Sequence, residues 1–263
     1  MGDDLVVGSS RHVFRSGDFD APDLAGRRKG RRVSVCIPAR NEEATVGAIV
    51  ATVVGACTAA GGGPDLVDEV LVVDDGSTDA TAAVARGAGA LVVSGQGAGG
   101  KGEAMALGAA RAGGELLVFL DADVEAFTPS FVVGLLGPLV LDDDIVLVKG
   151  FYERPLHGAP SGGGRVTELM ARPVIDLLFP QLAFVRQPLA GETAIRRTAL
   201  EKTGIAPGYG AELGLLVDVT REFGVDALAE VDLGTRVHRN RPLSELRHHA
   251  TDVLRCALER APR

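Results

Sequence analysis

The sequence predicts an α/β fold in one domain, a mostly parallel Rossmann-like sheet with helices on both faces, and three observations carry that reading. Short apolar runs alternate with helical stretches of about 10–15 residues, which implies βαβ units. Two of the apolar runs stop on paired carboxylates, Asp74-Asp75 after Val70-Leu71-Val72-Val73 and Asp121-Ala122-Asp123 after Leu116-Leu117-Val118-Phe119-Leu120. A length of 263 residues with 46% hydrophobic content and 35 glycines supplies a full core and many tight connections. In order, the pattern predicts a strand at Val33–Ile37, a loop Pro38-Ala39-Arg40-Asn41-Glu42-Glu43 and a helix to about Ala60. A strand at Glu69–Asp74 then leads through Gly76-Ser77-Thr78-Asp79 into a helix ending near Gly87, and Ala90–Ser94 through a glycine-rich loop into a helix over Gly102–Ala112. Glu115–Asp121 closes the set. Right-handed crossovers place these four strand ends on one edge. Beyond Asp123 the rhythm changes to longer helices and loops, with strands near Val146–Phe151 and Leu228–Val237 and a solvated turn at Asp142-Asp143-Asp144.

Composition excludes several classes. A net charge of −8 with no long basic block argues against a nucleic-acid partner. The cluster Arg27, Arg28, Lys29, Arg31 and Arg32 reads as a solvated lead-in to the first strand, or as a weak contact for an anion. Three widely spaced cysteines in apolar contexts, Cys36, Cys57 and Cys256, fit core residues of a reduced, cytoplasmic protein. Asp3 and Asp4 stand where a signal peptide would carry a basic region, so no targeting segment is read. The uncharged stretch from Ala44 to Pro64 is rich in Ala, Gly and Thr, so a buried helix is expected there and no membrane span.

Acidic oxygens at the carboxyl edge of a sheet stand where open α/β proteins hold ligands, and hard oxygen donors suit Mg²⁺ or Mn²⁺ holding phosphates. Together the two acidic strand ends point to a nucleotide site. The loop Gly95-Gln96-Gly97-Ala98-Gly99-Gly100-Lys101-Gly102 nearly spells a nucleotide triphosphatase phosphate loop. Gly102 stands in place of its Mg²⁺-binding hydroxyl. The simpler reading is a loop whose Lys101 reaches a diphosphate as a point charge. In the second half, Gly162-Gly163-Gly164-Arg165-Val166-Thr167-Glu168 offers helix-start amides and a guanidinium to a phosphate or carboxylate, or is a plain glycine-rich connection. Gly208-Tyr209-Gly210-Ala211-Glu212 folds tightly enough to aim Glu212 into a cleft, or simply starts a helix. His238, in His238-Arg239-Asn240-Arg241-Pro242, either completes a metal site begun by Asp123 or is structural.

The loops after the first, second and fourth strands resemble the nucleotide-sugar half of GT-A glycosyltransferases. Gly100-Lys101-Gly102-Glu103-Ala104, Gly163-Gly164-Arg165-Val166-Thr167-Glu168-Leu169, Gln187-Pro188-Leu189-Ala190-Gly191-Glu192, Pro207-Gly208-Tyr209-Gly210-Ala211-Glu212 and His238-Arg239-Asn240-Arg241-Pro242-Leu243, in this order, resemble the glucosyl-3-phosphoglycerate synthases. The resemblance spans about Val33 to Leu246. It implies a GT-A fold, with 1–32 a lead-in, 33–123 the nucleotide-sugar-binding βα region, and 124–263 the acceptor-binding and C-terminal helical region. The implied activity is transfer of glucose from UDP-glucose, or another nucleotide-diphosphate glucose, to the 2-hydroxyl of 3-phosphoglycerate with retention. The implied cofactor is Mg²⁺ or Mn²⁺, held by Asp123 and His238. Nucleotide-sugar contacts are implied at Pro38, Ala39, Glu42, Asp75, Lys101, Asp121, Ala122, Tyr209 and Glu212, with Lys101, Asp123 and Glu212 at the chemistry. Acceptor contacts are implied at Gly164, Arg165, Thr167 and Asn240, and the assembly is implied to be a homodimer. The chain departs from the family pattern in its short glycine loop before Lys101 and in the little sequence that follows the last helix. The rival readings are a related transferase using GDP-mannose or a polyprenyl phosphate, a phosphate-loop triphosphatase, and a nucleotide-sugar sensor.

Overall fold

The structure is a computed structural model and describes residues 12–95, 99–153, 164–236 and 243–262. Among the described residues eight strands form one sheet: β1 (Val13–Arg15), β2 (Val33–Ala39), β3 (Glu69–Asp74), β4 (Leu91–Ser94), β5 (Leu116–Phe119), β6 (Leu147–Glu153), β7 (Thr193–Arg196) and β8 (Leu228–Thr235). Their spatial order is β1-β8-β6-β7-β5-β2-β3-β4. The pairs β2–β3, β2–β5, β3–β4, β6–β8 and β1–β8 are parallel, whereas β7 runs antiparallel to both β5 and β6.

Apolar runs make the centre of this sheet because it is covered twice. Along β2, Val35 and Ile37 pack into one core and Cys36 into the other. The first core takes α1 (Ala21–Arg27), α2 (Val46–Cys57), α3 (Thr81–Gly87) and α5 (Ser130–Leu141), through Leu24, Ile49, Ala85 and Leu135 among others. The second takes α4 (Lys101–Arg111), α6 (Arg172–Leu178), α7 (Arg197–Thr203), α8 (Ala211–Phe223) and α9 (Leu243–Glu259), through Met105, Ile175, Leu200, Leu216 and Val253. The uncharged stretch from Ala44 folds as the buried helix α2, and among the described residues no helix is long and apolar enough to cross a membrane. All three cysteines are free and buried.

The strand and helix expectations for 33–121 agree with the structure, and two strands lie outside them. In the stretch read as a lead-in, β1 pairs with β8 and α1 packs on the first core. The antiparallel β7 joins the two halves of the sheet. Of the basic cluster, Arg27, Lys29 and Arg32 are exposed, as a solvated lead-in would be, whereas Arg28 is buried and Arg31 half-buried in ion pairs. Arg28 pairs with Asp65 at 2.8 Å and with Asp68, and Arg31 pairs with Asp143 at 2.7 Å. Lys29 and Arg196 reach the same Asp143 carboxylate at 3.5 Å each. The helix that starts at Arg165 runs from a wide turn at Thr167–Ala171 into α6.

Candidate active site

Parallel strands β2, β3 and β5 end side by side, and the loops that follow them lock together through their own polar side chains. Asn41, at φ +57°, accepts from the Thr78 amide at 2.8 Å and donates its own amide to Ser77 Oγ at 3.0 Å. Glu43 Oε2 accepts from the Ala80 amide at 2.8 Å, while Glu42 donates its amide to Thr81 Oγ1 at 2.8 Å. Thr45 Oγ1 donates to the Ala122 carbonyl at 2.6 Å and ties the third loop to the first two. These bonds explain why short polar residues crowd both motifs: each satisfies a backbone group that the loops leave open.

Above this floor lies a cavity of about 280 Å³, lined by Pro38, Ala39, Arg40, Glu42, Asp75, Gly100, Lys101, Ala104, Asp121, Ala122, Asp123 and Tyr209. The Gly100 amide donates to Asp75 Oδ2 at 3.3 Å, which fastens the start of α4 to the end of β3. Gly102 belongs to this packing, because a Cβ there would overlap the Ala206 carbonyl; that is why no hydroxyl residue follows Lys101.

A buried charge network forms one wall. Lys101 Nζ lies 2.6 Å from Asp121 Oδ1 and 2.6 Å from Glu212 Oε1. Burial alone would lower the Lys101 ammonium, but these two carboxylates outweigh it and hold the lysine well above its ordinary value. Burial would likewise raise Asp121, yet Lys101 and Arg236 hold it well below the usual carboxylate range. Arg236 Nη2 sits 2.9 Å from Asp121 Oδ2 and 2.6 Å from Asp123 Oδ1. Its Nη1 meets Glu192 at 3.0 Å and donates to the Tyr152 hydroxyl at 2.6 Å. Beneath the network Lys149, 2% exposed, donates to the Ala190 carbonyl and, at 2.9 Å, to Thr193 Oγ1. Burial dominates there and pulls the Lys149 ammonium down to about 8 against the opposing pull of Glu212. Tyr209 enters the cavity from the turn before α8 and stacks on His249 of α9, with centroids 3.4 Å apart.

The structure thus brings Pro38, Ala39, Glu42, Asp75, Lys101, Asp121, Ala122, Asp123 and Tyr209 to one cavity, and Glu212 to Lys101 in its wall. Gly164, at φ +84°, and Thr167 share a turn with Arg165, which lines a second cavity of about 590 Å³ against Leu246, Arg247 and Ala250 of α9. His238 and Asn240 lie outside the described residues. Among the described residues no cluster of three acidic, histidine or cysteine side chains holds a metal-ligand geometry. Asp123 is the donor present: Arg236 takes its Oδ1 and its side chain lines the cavity, a hard carboxylate that fits Mg²⁺ or Mn²⁺. Sequence reasoning missed Arg236, Glu192 and Lys149 as parts of the site. Glu192 stood at the end of a quoted motif, whereas Arg236 and Lys149 carried no local signal.

Residues 34–163 match the family described as Glycosyl transferase family 2. The glucosyl-3-phosphoglycerate synthase of Mycolicibacterium smegmatis is 46% identical over 260 residues, covering 95% of this chain and 84% of the relative. The synthase of Petrotoga mobilis is 38% identical over 240 residues, covering 87% of this chain and 73% of the relative. Among solved structures, the Mycobacterium tuberculosis synthase in complex with Mn²⁺, UDP-glucose and phosphoglyceric acid superposes with a TM-score of 0.82 at 42% identity, over 93% of this chain and 86% of that one. The same synthase with Mn²⁺, UDP and glucosyl-3-phosphoglycerate superposes at 0.83. With the acidic strand ends, the lysine at the start of α4 and the Tyr-Gly-x-Glu turn assembled on one GT-A sheet, the chain belongs to the glucosyl-3-phosphoglycerate synthase family.

Proposed function

We propose that this chain transfers glucose from UDP-glucose to the 2-hydroxyl of 3-phosphoglycerate with retention, releasing UDP and glucosyl-3-phosphoglycerate. The observation that carries the reading is the convergence of Lys101, Asp121, Asp123 and Tyr209 on the cavity that also holds Pro38, Ala39, Glu42 and Asp75. Pro38, Ala39, Glu42 and Asp75 face the nucleoside end, and Lys101 supplies a fixed positive charge to the diphosphate. Asp123, with His238, is the ligand for a divalent metal. When bound, that metal supplies Lewis-acid stabilisation of the charge growing on the leaving diphosphate. Glu212 and Tyr209 fix the sugar, and Asp121 holds Lys101 in place between donor and wall. Gly164, Arg165, Thr167 and Asn240 hold the acceptor's phosphate and carboxylate and turn its hydroxyl toward the anomeric carbon. Such positioning supplies several kcal/mol of the barrier reduction. Attack comes from the face of the leaving group, whose departing diphosphate takes the acceptor proton. We read the enzyme as a cytoplasmic homodimer by resemblance to its family, and light scattering at the single-chain mass of 27.2 kDa would overturn the dimer.

The test is UDP release from UDP-glucose and 3-phosphoglycerate, with Mg²⁺ or Mn²⁺, omitting each component in turn. Release that needs both substrates and metal is the expected result. Release without 3-phosphoglycerate, or none despite tight UDP binding, would sink the acceptor assignment.

A further inference from the structure

We propose that Arg236 is the positioning residue of the metal site: its guanidinium grips one oxygen of the Asp123 carboxylate and so aims the other at the cation. The inference rests on the reading of Asp123 as a metal ligand. Arg236 follows β8, is 3% exposed, and lies in none of the sequence motifs. Its Nη2 donates to Asp123 Oδ1 at 2.6 Å and also lies 2.9 Å from Asp121 Oδ2, bridging the two carboxylates of the Asp-x-Asp pair. Asp123 lines the cavity, and the bond from Arg236 falls on its Oδ1.

The guanidinium is itself held from behind. Nη1 donates to the Tyr152 hydroxyl at 2.6 Å and meets both Glu192 oxygens, at 3.0 and 3.2 Å. The Arg236 amide donates to the Glu153 carbonyl at 3.0 Å, and the Glu192 carbonyl accepts from the Gly150 amide at 2.9 Å, so β6 anchors both partners. A planar fork with five donors serves three carboxylates at once, which a lysine ammonium on a flexible stem does less well. A ligating carboxylate whose second oxygen is pinned loses little freedom when it binds metal, and outer partners of this kind tune metal affinity by about 10–100-fold.

Mn²⁺ binding with UDP present, read from the electron paramagnetic resonance of free Mn²⁺, tests this on wild type, Arg236→Met, Arg236→Lys, Glu192→Gln and Asp123→Asn, with circular dichroism confirming each fold. Arg236→Met is expected to weaken Mn²⁺ binding by about 10–100-fold. Arg236→Lys is expected to recover part of the loss, and Glu192→Gln to fall between it and wild type. Unchanged affinity in Arg236→Met overturns the proposal. Tighter binding overturns it as well, since Arg236 would then be competing with the metal for Asp123. Should Arg236→Met fail to fold, Glu192→Gln decides in the same way. If Asp123→Asn loses Mn²⁺ while the Arg236 and Glu192 variants keep it, the inference falls and the metal site stands. If Asp123→Asn binds as wild type, both fall.

Discussion

Gly191 is a glycine because of what stands against it. A Cβ at this position would overlap the Asp121 carboxylate, the group that joins Lys101 to Arg236. Gly191→Ala should therefore push Asp121 aside and loosen two charge-assisted contacts, each worth about 1.5–3 kcal/mol. We expect kcat/KM to fall by about 10–100-fold in the UDP-release assay and the melting temperature to drop by several degrees. Wild-type turnover would mean that the carboxylate moves without consequence. The same carboxylate marks the limit of what the sequence reveals. Asp121, Asp123, Lys101 and Glu212 were legible because each closes a local pattern, a strand end or a helix start, that chemistry uses often. Arg236, Glu192 and Lys149 were not, because their roles arise only where β6, β8 and the approach to β7 meet. No spacing along the chain encodes that meeting.

Among the elements, α9 is the one whose influence reaches the cavity from behind. Its Asp252 Oδ2 accepts from the Tyr209 amide at 3.3 Å, its His249 stacks on the Tyr209 ring, and Cys256 Sγ contacts the Gly210 carbonyl at 3.3 Å. From the other side Glu103 of α4 accepts from the Gly208 amide at 2.9 Å. Two helices thus clamp the turn that presents Tyr209 to the cavity and starts α8 with Glu212. Asp252→Ala removes one grip worth about 1 kcal/mol. It should raise the KM for UDP-glucose about three- to ten-fold and leave that for 3-phosphoglycerate unchanged; equal shifts in both would place the effect elsewhere. The sequence announced α2, α3, α4 and the strands from β2 to β5 through their alternation and turn residues. It announced neither β1, three residues long, nor β7, whose Thr-Ala-Ile-Arg lacks the continuous apolar run that marked the equally short β5. Both exist because longer neighbours offer them a ladder, β8 to β1, and β5 and β6 to β7.

Across the whole molecule the charge is distributed against its average. The chain carries a net −8, yet Lys101, Lys149 and Arg236 are gathered in and behind the wall of the cavity, among Asp121, Asp123, Glu192 and Glu212. Holding cations there has a thermodynamic signature, clearest at Lys149. Burial depresses its ammonium from the ordinary 10.5 to about 8. Below pH 8 both folded and unfolded chains carry this charge, and the folded state bears the cost of burying it. Between pH 8 and 10.5 the folded state has released the proton while the unfolded chain keeps it, so the unfolded chain binds more protons and stability rises with pH. Above 10.5 both are neutral and the gain levels off. Lys149→Met lacks this titration, and its lost hydrogen bonds shift stability by an amount that does not vary with pH. Urea unfolding of the two proteins at pH 8 and pH 10 should therefore show wild type gaining about 2 kcal/mol relative to the variant. Curves that stay parallel across that window would mean that Lys149 titrates in the folded protein as it does in water.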